Sequence, residues 1–277
     1  MQGRGDTEDD MPGDGAVYMM GDVHGYLDKL TRLLRECGLV DEGLHWRGGV
    51  ASLWFMGDFF DRGPDGTGVV DLIMRLQREA ADAGGCVEAL LGNHDILIMA
   101  VQQFGYVSCG TPPRTFRYHW ERNGGRAEDL ARLTVEHMEW LSRRPALARV
   151  GDTLLAHADS TFYLGYGRTV DEINAAFRSV LLHDNVCDWD DMLDGFAQRH
   201  AFDGREHGGA ERAAQFLAPF DTRQLVHGHT PIDHVLQCPA ELVAWPLIYA
   251  NGLCVNIDGG MYRGGPGFIY QLEAARC

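Results

Sequence analysis

An α/β fold that passes into α+β in its second half is what this 277-residue sequence predicts. Three observations carry the prediction. Short apolar runs, Val17 to Met20, Leu53 to Met56 and Val87 to Leu91, have the length and composition of buried strands. Each runs into a polar loop and then into a helical pattern, which is β-loop-α written three times. Beyond Leu147 the patterning is mostly strand-like, broken by Gly, Pro and Asn.

Taken in order, 1–15 reads as a flexible tail rich in Gly and Asp, and 16–277 as one domain. After the first strand, Leu27, Leu30, Leu33, Leu34 and Cys37 mark one helix face, stopped at Gly38. After the second, Val69, Val70, Leu72, Ile73 and Leu76 mark the next helix. The third strand leads into a helix from Ile96 to Phe104. From about 105 to 145 the pattern changes to a helical insert flanking the strand ends. Thr111-Pro112-Pro113 and Asn123-Gly124-Gly125 break it, and one helix is expected between Ala127 and Leu141. Leu147 to Val150 and Thr153 to Ala156 form a hairpin around Gly151-Asp152. Val170 to Leu182 is helical by spacing, Asp184 to Arg205 is polar without a clear period, and Ala210 to Leu217 is a short helix. Leu225-Val226 leads into His227-Gly228-His229-Thr230-Pro231. Strand-like segments follow at Leu242 to Tyr249, Leu253 to Ile257 and Phe268 to Leu272. Periodicity does not decide whether these late strands extend the first sheet or build a second one.

Composition narrows the function. A hydrophobic share of 45% suits a chain with a sizeable core. A net charge of −16 repels polyanions, which makes nucleic acid a poor partner. No apolar run is long enough to span a bilayer, and the N-terminus lacks a basic segment leading into an apolar one. Seven Cys without a C-x-x-C pair favour reduced thiols and a cytoplasmic setting over a disulfide framework.

The three β-loop-α loops are Gly21-Asp22-Val23-His24-Gly25, Gly57-Asp58-Phe59-Phe60-Asp61-Arg62-Gly63 and Gly92-Asn93-His94-Asp95. Loops at the carboxyl ends of strands in an open α/β sheet share one crevice, so these should converge. Asp22 and His24 are two apart, which in extended chain puts them on one side. Asp58, Asn93, His157 and His229 each follow a strand-like run. Carboxylate, imidazole and amide oxygen form a mixed N/O set that suits Mn²⁺, Fe or Zn²⁺ rather than Ca²⁺. Six such groups exceed the needs of one tetrahedral ion and suit two ions sharing a carboxylate, an arrangement that clamps both oxygens of a phosphoryl displacement.

Together with His157 after its strand and Gly228-His229-Thr230-Pro231, these loops resemble the motifs of the calcineurin-like metallophosphoesterases, in family order over Gly21 to Pro231. The Asp61-Arg62-Gly63 ending looks like the phosphoprotein phosphatase branch, which includes Ser/Thr phosphatases, bacterial and phage protein phosphatases and symmetrical dinucleoside tetraphosphatases. The resemblance implies two packed mixed sheets flanked by helices, with two divalent metals, Mn foremost, at the strand ends. It implies Asp22 and His24 on the first metal, Asp58 bridging both, and Asn93, His157 and His229 on the second. It implies His94 as general acid oriented by Asp61, Arg62 gripping the phosphate, and a metal-bridging hydroxide as nucleophile. Asn93 and His94 would also contact substrate.

Two positions depart from the family pattern. His157-Ala158-Asp159 stands where His-Gly-Gly is common, so Asp159 adds a negative charge that bears on substrate choice. Asp95 stands where the Ser/Thr phosphatases have Glu, outside the ligands. A second phosphate-binding Arg is expected at Arg199, with Arg168 and Arg205 behind it. His227, two residues from His229, could share its face, but the resemblance supports only His229. His183, His200, His207 and His234 read as surface or cap residues, and Phe59 and Phe60 as packing below the crevice. Three functions follow. The first is a metal-dependent phosphomonoesterase acting on phosphoprotein or a small phosphoester. The second is a symmetrical dinucleoside tetraphosphate hydrolase with a base pocket in the insert. The third is a phosphate- or metal-binding module without turnover.

Overall fold

The computed structural model describes residues 15–107, 115–204 and 208–272. Most of the expected tail, Thr111-Pro112-Pro113, Arg205 and His207 lie outside them.

The first sheet is built by β1 (Val17–Met20), β2 (Ser52–Phe55) and β3 (Cys86–Ala89), all parallel, joined by α1 (Leu27–Glu36) and α2 (Gly66–Asp82). Both faces of these strands are covered, which is why they read as unbroken apolar runs. Met20, Leu53, Phe55 and Val87 pack into the main core with helix residues such as Leu30, Leu34 and Ile73. The alternate positions Met19, Met56 and Leu90 turn the other way, against Leu155, Val226 and Val255. That second cluster is the layer between two sheets.

The second sheet has the order β4 (Leu147–Val150), β5 (Thr153–Ala156), β6 (Gln224–His227), β8 (Cys254–Asn256), β7 (Leu247–Tyr249). It is mixed: β4–β5 and β7–β8 are antiparallel, while β5–β6 and β6–β8 are parallel. The late strands therefore split. β4 to β8 make the second sheet, and β9 (Ile269–Leu272) returns antiparallel to the edge of β1. The result is two packed mixed sheets flanked by helices.

Local signals explain several helix starts. Asp65 caps α2 by accepting from the Gly68 N–H at 2.8 Å. Thr169 and Glu172 form a capping box that opens α7 (Val170–Leu181). The helix α3 (Asn93–Phe104) starts on the third loop. Between α3 and β4 the expected single helix is two, α5 (Ala127–Arg132) and α6 (Val135–Ser142), preceded by α4 (Phe116–Arg122). The break arises because Leu133 is extended and Thr134 restarts the chain as an N-cap, its hydroxyl accepting from the His137 N–H. The polar stretch after Asp184 holds a helix, α8 (Val186–Phe196), with Trp189, Met192 and Phe196 buried on one face. The helix α9 (Gly209–Leu217) precedes β6, and α10 (Ile232–Leu236) follows it. The strand expected over Leu242 to Tyr249 shrinks to β7, since Ala240–Leu242 is a 3-10 turn.

Cys37, Cys86, Cys238 and Cys254 are free, but Cys187 is disulfide-bonded, which corrects the expectation of reduced thiols throughout. No helix among the described residues is long and apolar enough to cross a membrane.

Candidate functional site

The loops after β1, β2, β3, β5 and β6 meet at one cleft of about 160 Å³. Asp58, Arg62, Asn93, His94, Arg199 and His229 line it, along with Tyr262. The backbone there is held in conformations that side chains resist. His24 (φ 47°), Asp58 (φ 55°), Asp61 (φ 69°), Arg62 (φ 67°) and His229 (φ 68°) are all left-handed. Each costs on the order of 1–3 kcal/mol and persists only where the surroundings enforce it. The enforcement is visible. The Val23 and His24 N–H groups donate to the Asp58 carbonyl, and Gly25 donates to that of Phe59. Gly92 must lack a side chain, because a Cβ there would sit 2.2 Å from Asp58 Oδ1. Asp95 is wholly buried and accepts from the N–H groups of Asp58, Phe59 and Gly92 at 2.8–2.9 Å. It lies outside the cleft and shapes the Asp58 loop from behind.

Hydrogen bonds assign the imidazole tautomers. His24 Nδ1 donates to the Phe60 carbonyl at 2.9 Å, and His94 Nδ1 donates to Asp61 Oδ2 at 2.6 Å. Their Nε2 atoms are then acceptors, and the Arg62 guanidinium, a donor only, reaches both at 2.6 and 2.9 Å. His157 Nδ1 donates to the Met56 carbonyl at 2.8 Å, which leaves the Nε2 lone pair facing the cleft. His229 Nε2 points at the Ala197 carbonyl, which leaves its Nδ1 lone pair facing the cleft as well. Those two lone pairs are 3.1 Å apart, and the Asn93 amide oxygen is 3.1 Å from His157 Nε2. Three acceptors converging with no donor among them call for a cation.

The ligand atoms of Asp58, His157 and His229 lie within 4.8 Å of one another, and so do those of His24, Asp58 and His94. Asp58 belongs to both groups. Asp22 is next to the second group, with Oδ2 buried, without a hydrogen-bond partner and 3.8 Å from His24 Nε2. Its Oδ1 accepts from the His229 N–H. The donor set fits two divalent ions that share one carboxylate.

Burial disfavours charge on these groups. It holds the His24, His157 and His229 imidazoles below their ordinary range, helped at His24 by Arg62 and at His229 by His157 and Arg199. Neutral imidazoles are what a metal requires. Burial also pushes Asp22 well up, with the charges of Asp258 and Asp58 adding to it. Burial would raise Asp58 too, but the four surrounding imidazoles outweigh it and keep the carboxylate well below its usual range.

Arg199 lies at the cleft on an exposed position after α8. Arg168 does not: it sits at the start of α7, where its N–H donates to Glu172. His227 faces away from His229, with Nε2 2.7 Å from the Tyr249 hydroxyl. Phe59 and Phe60 are fully buried. His183 and His234 are exposed, whereas His200 is half-buried and paired with Asp203 at 2.7 Å.

Three residues at the site escaped the sequence reading. Trp120, on α4, donates from Nε1 to Asp61 Oδ1 at 2.7 Å, and nothing in its local pattern pointed there. Tyr262 stacks on the Arg62 guanidinium at 3.9 Å. Asp258 follows β8 at a strand end, the placement that picked out Asp22 and Asp58, and the same rule would have found it. It is fully buried, accepts from the Gly260 N–H, and is pushed up to about 7 by burial first and by Asp58 next.

Comparison with known proteins agrees with this geometry. The sequence model of the calcineurin-like phosphoesterases matches residues 16–233. Shewanella-like protein phosphatase 1 of Plasmodium berghei (strain Anka) is 24% identical over 238 residues, covering 80% of this chain and 63% of that protein. The symmetrical bis(5'-nucleosyl)-tetraphosphatase of Neisseria meningitidis is 30% identical over 149 residues, covering 52% of this chain and 43% of that protein. The chain thus spans less than two thirds of either relative. The crystal structure of a cold-active protein-tyrosine phosphatase from a psychrophilic Shewanella shares the fold, with a TM-score of 0.71 and 23% identity over 95% of this chain and 76% of that one. With the family match over most of its length and two overlapping ligand groups at its strand ends, the chain belongs to the calcineurin-like phosphoesterases.

Proposed function

We propose that the chain is a metal-dependent phosphomonoesterase acting on phosphorylated protein. The observation that carries this is the Asp58 carboxylate shared by two ligand groups, one of which contains His94, with Arg62 reaching His24 and His94 across the first. Asp22, His24 and Asp58 would hold one divalent ion, and Asp58, Asn93, His157 and His229 the other, Mn²⁺ being the proposed metal. Bound there, the ions would supply Lewis acidity and lower the pKa of water near the phosphorus.

The chain's own groups do the rest. Arg62 offers a planar fork of N–H donors to the phosphate oxygens, and Tyr262 supports it from one face. On engaging phosphate it releases the Nε2 atoms of His24 and His94. His94 Nε2, freed of Arg62, takes up a proton from solvent and donates it to the ester oxygen as that oxygen leaves and a water oxygen takes its place on phosphorus, the water's own proton going to solvent. Asp61 keeps the Nδ1 proton and fixes the ring, and Trp120 fixes Asp61. Arg199 is the candidate for a second phosphate contact.

Hydrolysis of a symmetrical dinucleoside tetraphosphate is a second reading. Likeness to such enzymes supports it, as does the placement of Phe116 and His119 from α4 on the cleft wall. A competition assay separates the two. Mn²⁺-loaded protein is given phosphoserine, phosphothreonine and phosphotyrosine peptides together with a dinucleoside tetraphosphate. Dephosphorylated peptide beside intact dinucleotide is the expected result, and nucleoside diphosphate beside untouched peptide would overturn the first reading. Metal uptake without hydrolysis of either would mean a binding module. A cytoplasmic location is proposed on the four free thiols among the described residues, against which the Cys187 disulfide weighs. Thiol titration of protein from its own cells tests it.

A further inference from the structure

A second cavity of about 160 Å³ lies between α10 and the carboxyl ends of β6 and β8. It adjoins the cleft: His229 lines the cleft and Thr230 the cavity, and Arg199 and His200 divide in the same way. Its walls are aliphatic, from Val235, Leu236 and Leu247. Its floor is polar. Asp159 is 2% exposed and accepts from the His200 N–H at 3.0 Å and the Tyr249 hydroxyl at 2.9 Å. Neither donor is a cation, and among the described residues no lysine or arginine lines the cavity; a second carboxylate, Asp203, lines it with His200, its partner, and with His227, which is 2.7 Å from the Tyr249 hydroxyl. Thr230 Oγ1, also 2% exposed, lines the same cavity and has no hydrogen-bond partner.

A buried carboxylate that is hydrogen-bonded but not ion-paired favours whatever brings a positive charge to it. Aliphatic walls above such a floor match a side chain with a long methylene stem and a charged head, the build of lysine and arginine. The cavity admits one such chain. An extended peptide advances roughly 3.3 Å per residue, so its neighbour in the cleft lies within a few residues along the same strand.

We propose that this cavity is a specificity subsite for a lysine or arginine side chain near the phosphorylated residue of the substrate. The inference rests on the phosphoprotein reading above and names a feature of that substrate. The cationic head meets Asp159 and Thr230 Oγ1, and the stem lies along Leu247 and Val235. Phosphate hydrolysis itself does not use the cavity, so substrates too small to reach it are indifferent to its state.

The test is a set of phosphopeptides of one sequence with lysine moved through each of the four positions on either side of the phosphoresidue, each paired with its glutamine counterpart. Values of kcat/KM are measured on wild type, Asp159→Asn and Leu247→Trp, with p-nitrophenyl phosphate as the small control. One position should favour lysine by about tenfold in wild type. That preference should vanish in both variants, while Leu247→Trp keeps its turnover of p-nitrophenyl phosphate. Peptides hydrolysed with lysine and glutamine within twofold at every position would overturn the subsite and leave the phosphatase reading standing. A lysine preference that survives in Leu247→Trp would also overturn it, by placing the cation elsewhere. Turnover of p-nitrophenyl phosphate with no peptide hydrolysed at all would overturn both readings together.

Discussion

The two sheets meet at one cleft but hold their side chains there by different means. The loops of the first sheet clasp one another. Backbone N–H groups of the first loop donate to carbonyls of the second, and the buried Asp95 carboxylate ties the second loop to the third. Every polar group that positions His24, Asp58 and His94 has a partner inside the protein. The second sheet supplies two imidazoles, and their lone pairs face each other at 3.1 Å. Like partial charges this close repel, so this half of the site is suited to a cation between them. The first half is tied together by hydrogen bonds between its loops, whereas in the second each imidazole is anchored separately and their acceptors are left facing one another.

Substitutions can break that contrast. The largest effect is expected from Asp58→Asn, since Asp58 alone serves both halves. The loss in kcat should exceed about 10²-fold, the upper end of the cost of disturbing a partner that merely orients a ligand. Steady-state kinetics with metal analysis checks it, and wild-type turnover would sink the shared-carboxylate reading. His157→Ala strips the second half only. Bound metal should fall from two ions to one per chain by elemental analysis, with kcat down about 10²-fold and the fold retained. Two ions still bound would mean that the second half does not depend on its imidazoles.

Trp120→Phe sharpens the account of the first half. It removes the donor to Asp61 while keeping an aromatic ring in the core. Loss of a well-oriented proton donor should cost about tenfold in kcat, part of the 10²–10⁴ that general acid catalysis supplies. The loss should appear with alkyl phosphates, whose leaving oxygen needs the proton, and fade with p-nitrophenyl phosphate, whose leaving group does not. Equal losses on both would assign Trp120 a structural role alone. The smallest functional effect is expected at Asp129, on α5. Its carboxylate accepts from the N–H groups of Gly66 and Thr67 and so caps α2 behind the cleft. Asp129→Ala should lower stability by about 1–3 kcal/mol and leave kcat unchanged. For a chain this size each kcal/mol is about 2–4 °C in Tm, readable by calorimetry.

The same contrast governs how much of the molecule was legible beforehand. The first-sheet loops are dense in chemistry and follow buried strands, so strand, loop and helix could be read directly, and with them Asp22, His24, Asp58 and Asn93 as candidate ligands; Asp61, Arg62 and His94 took their candidate roles from the family resemblance. The second sheet offered a hairpin and a lone His157, and its strands were too short for periodicity to say which sheet they join. Trp120 and Tyr262 were not legible as site residues, whereas Asp258 was within reach of the strand-end rule and was passed over. The first two reach the cleft from segments with their own local pattern, and their partners Asp61 and Arg62 lie far away in sequence.

What the sequence determined by itself was local: strands whose two faces are both buried, loops rich in acceptors at their ends, and caps such as Asp65 and Thr169. Each depends on neighbours within a few residues, where spacing and side-chain chemistry suffice. Only the tertiary structure decided which strands share a sheet, that β9 closes the first sheet beside β1, that His227 turns away to Tyr249 while His229 turns in, and that Asp159 ends on the floor of a second cavity. Those outcomes depend on hydrogen bonds and packing between segments up to two hundred residues apart, such as Asp22 with His229, and no local pattern encodes them.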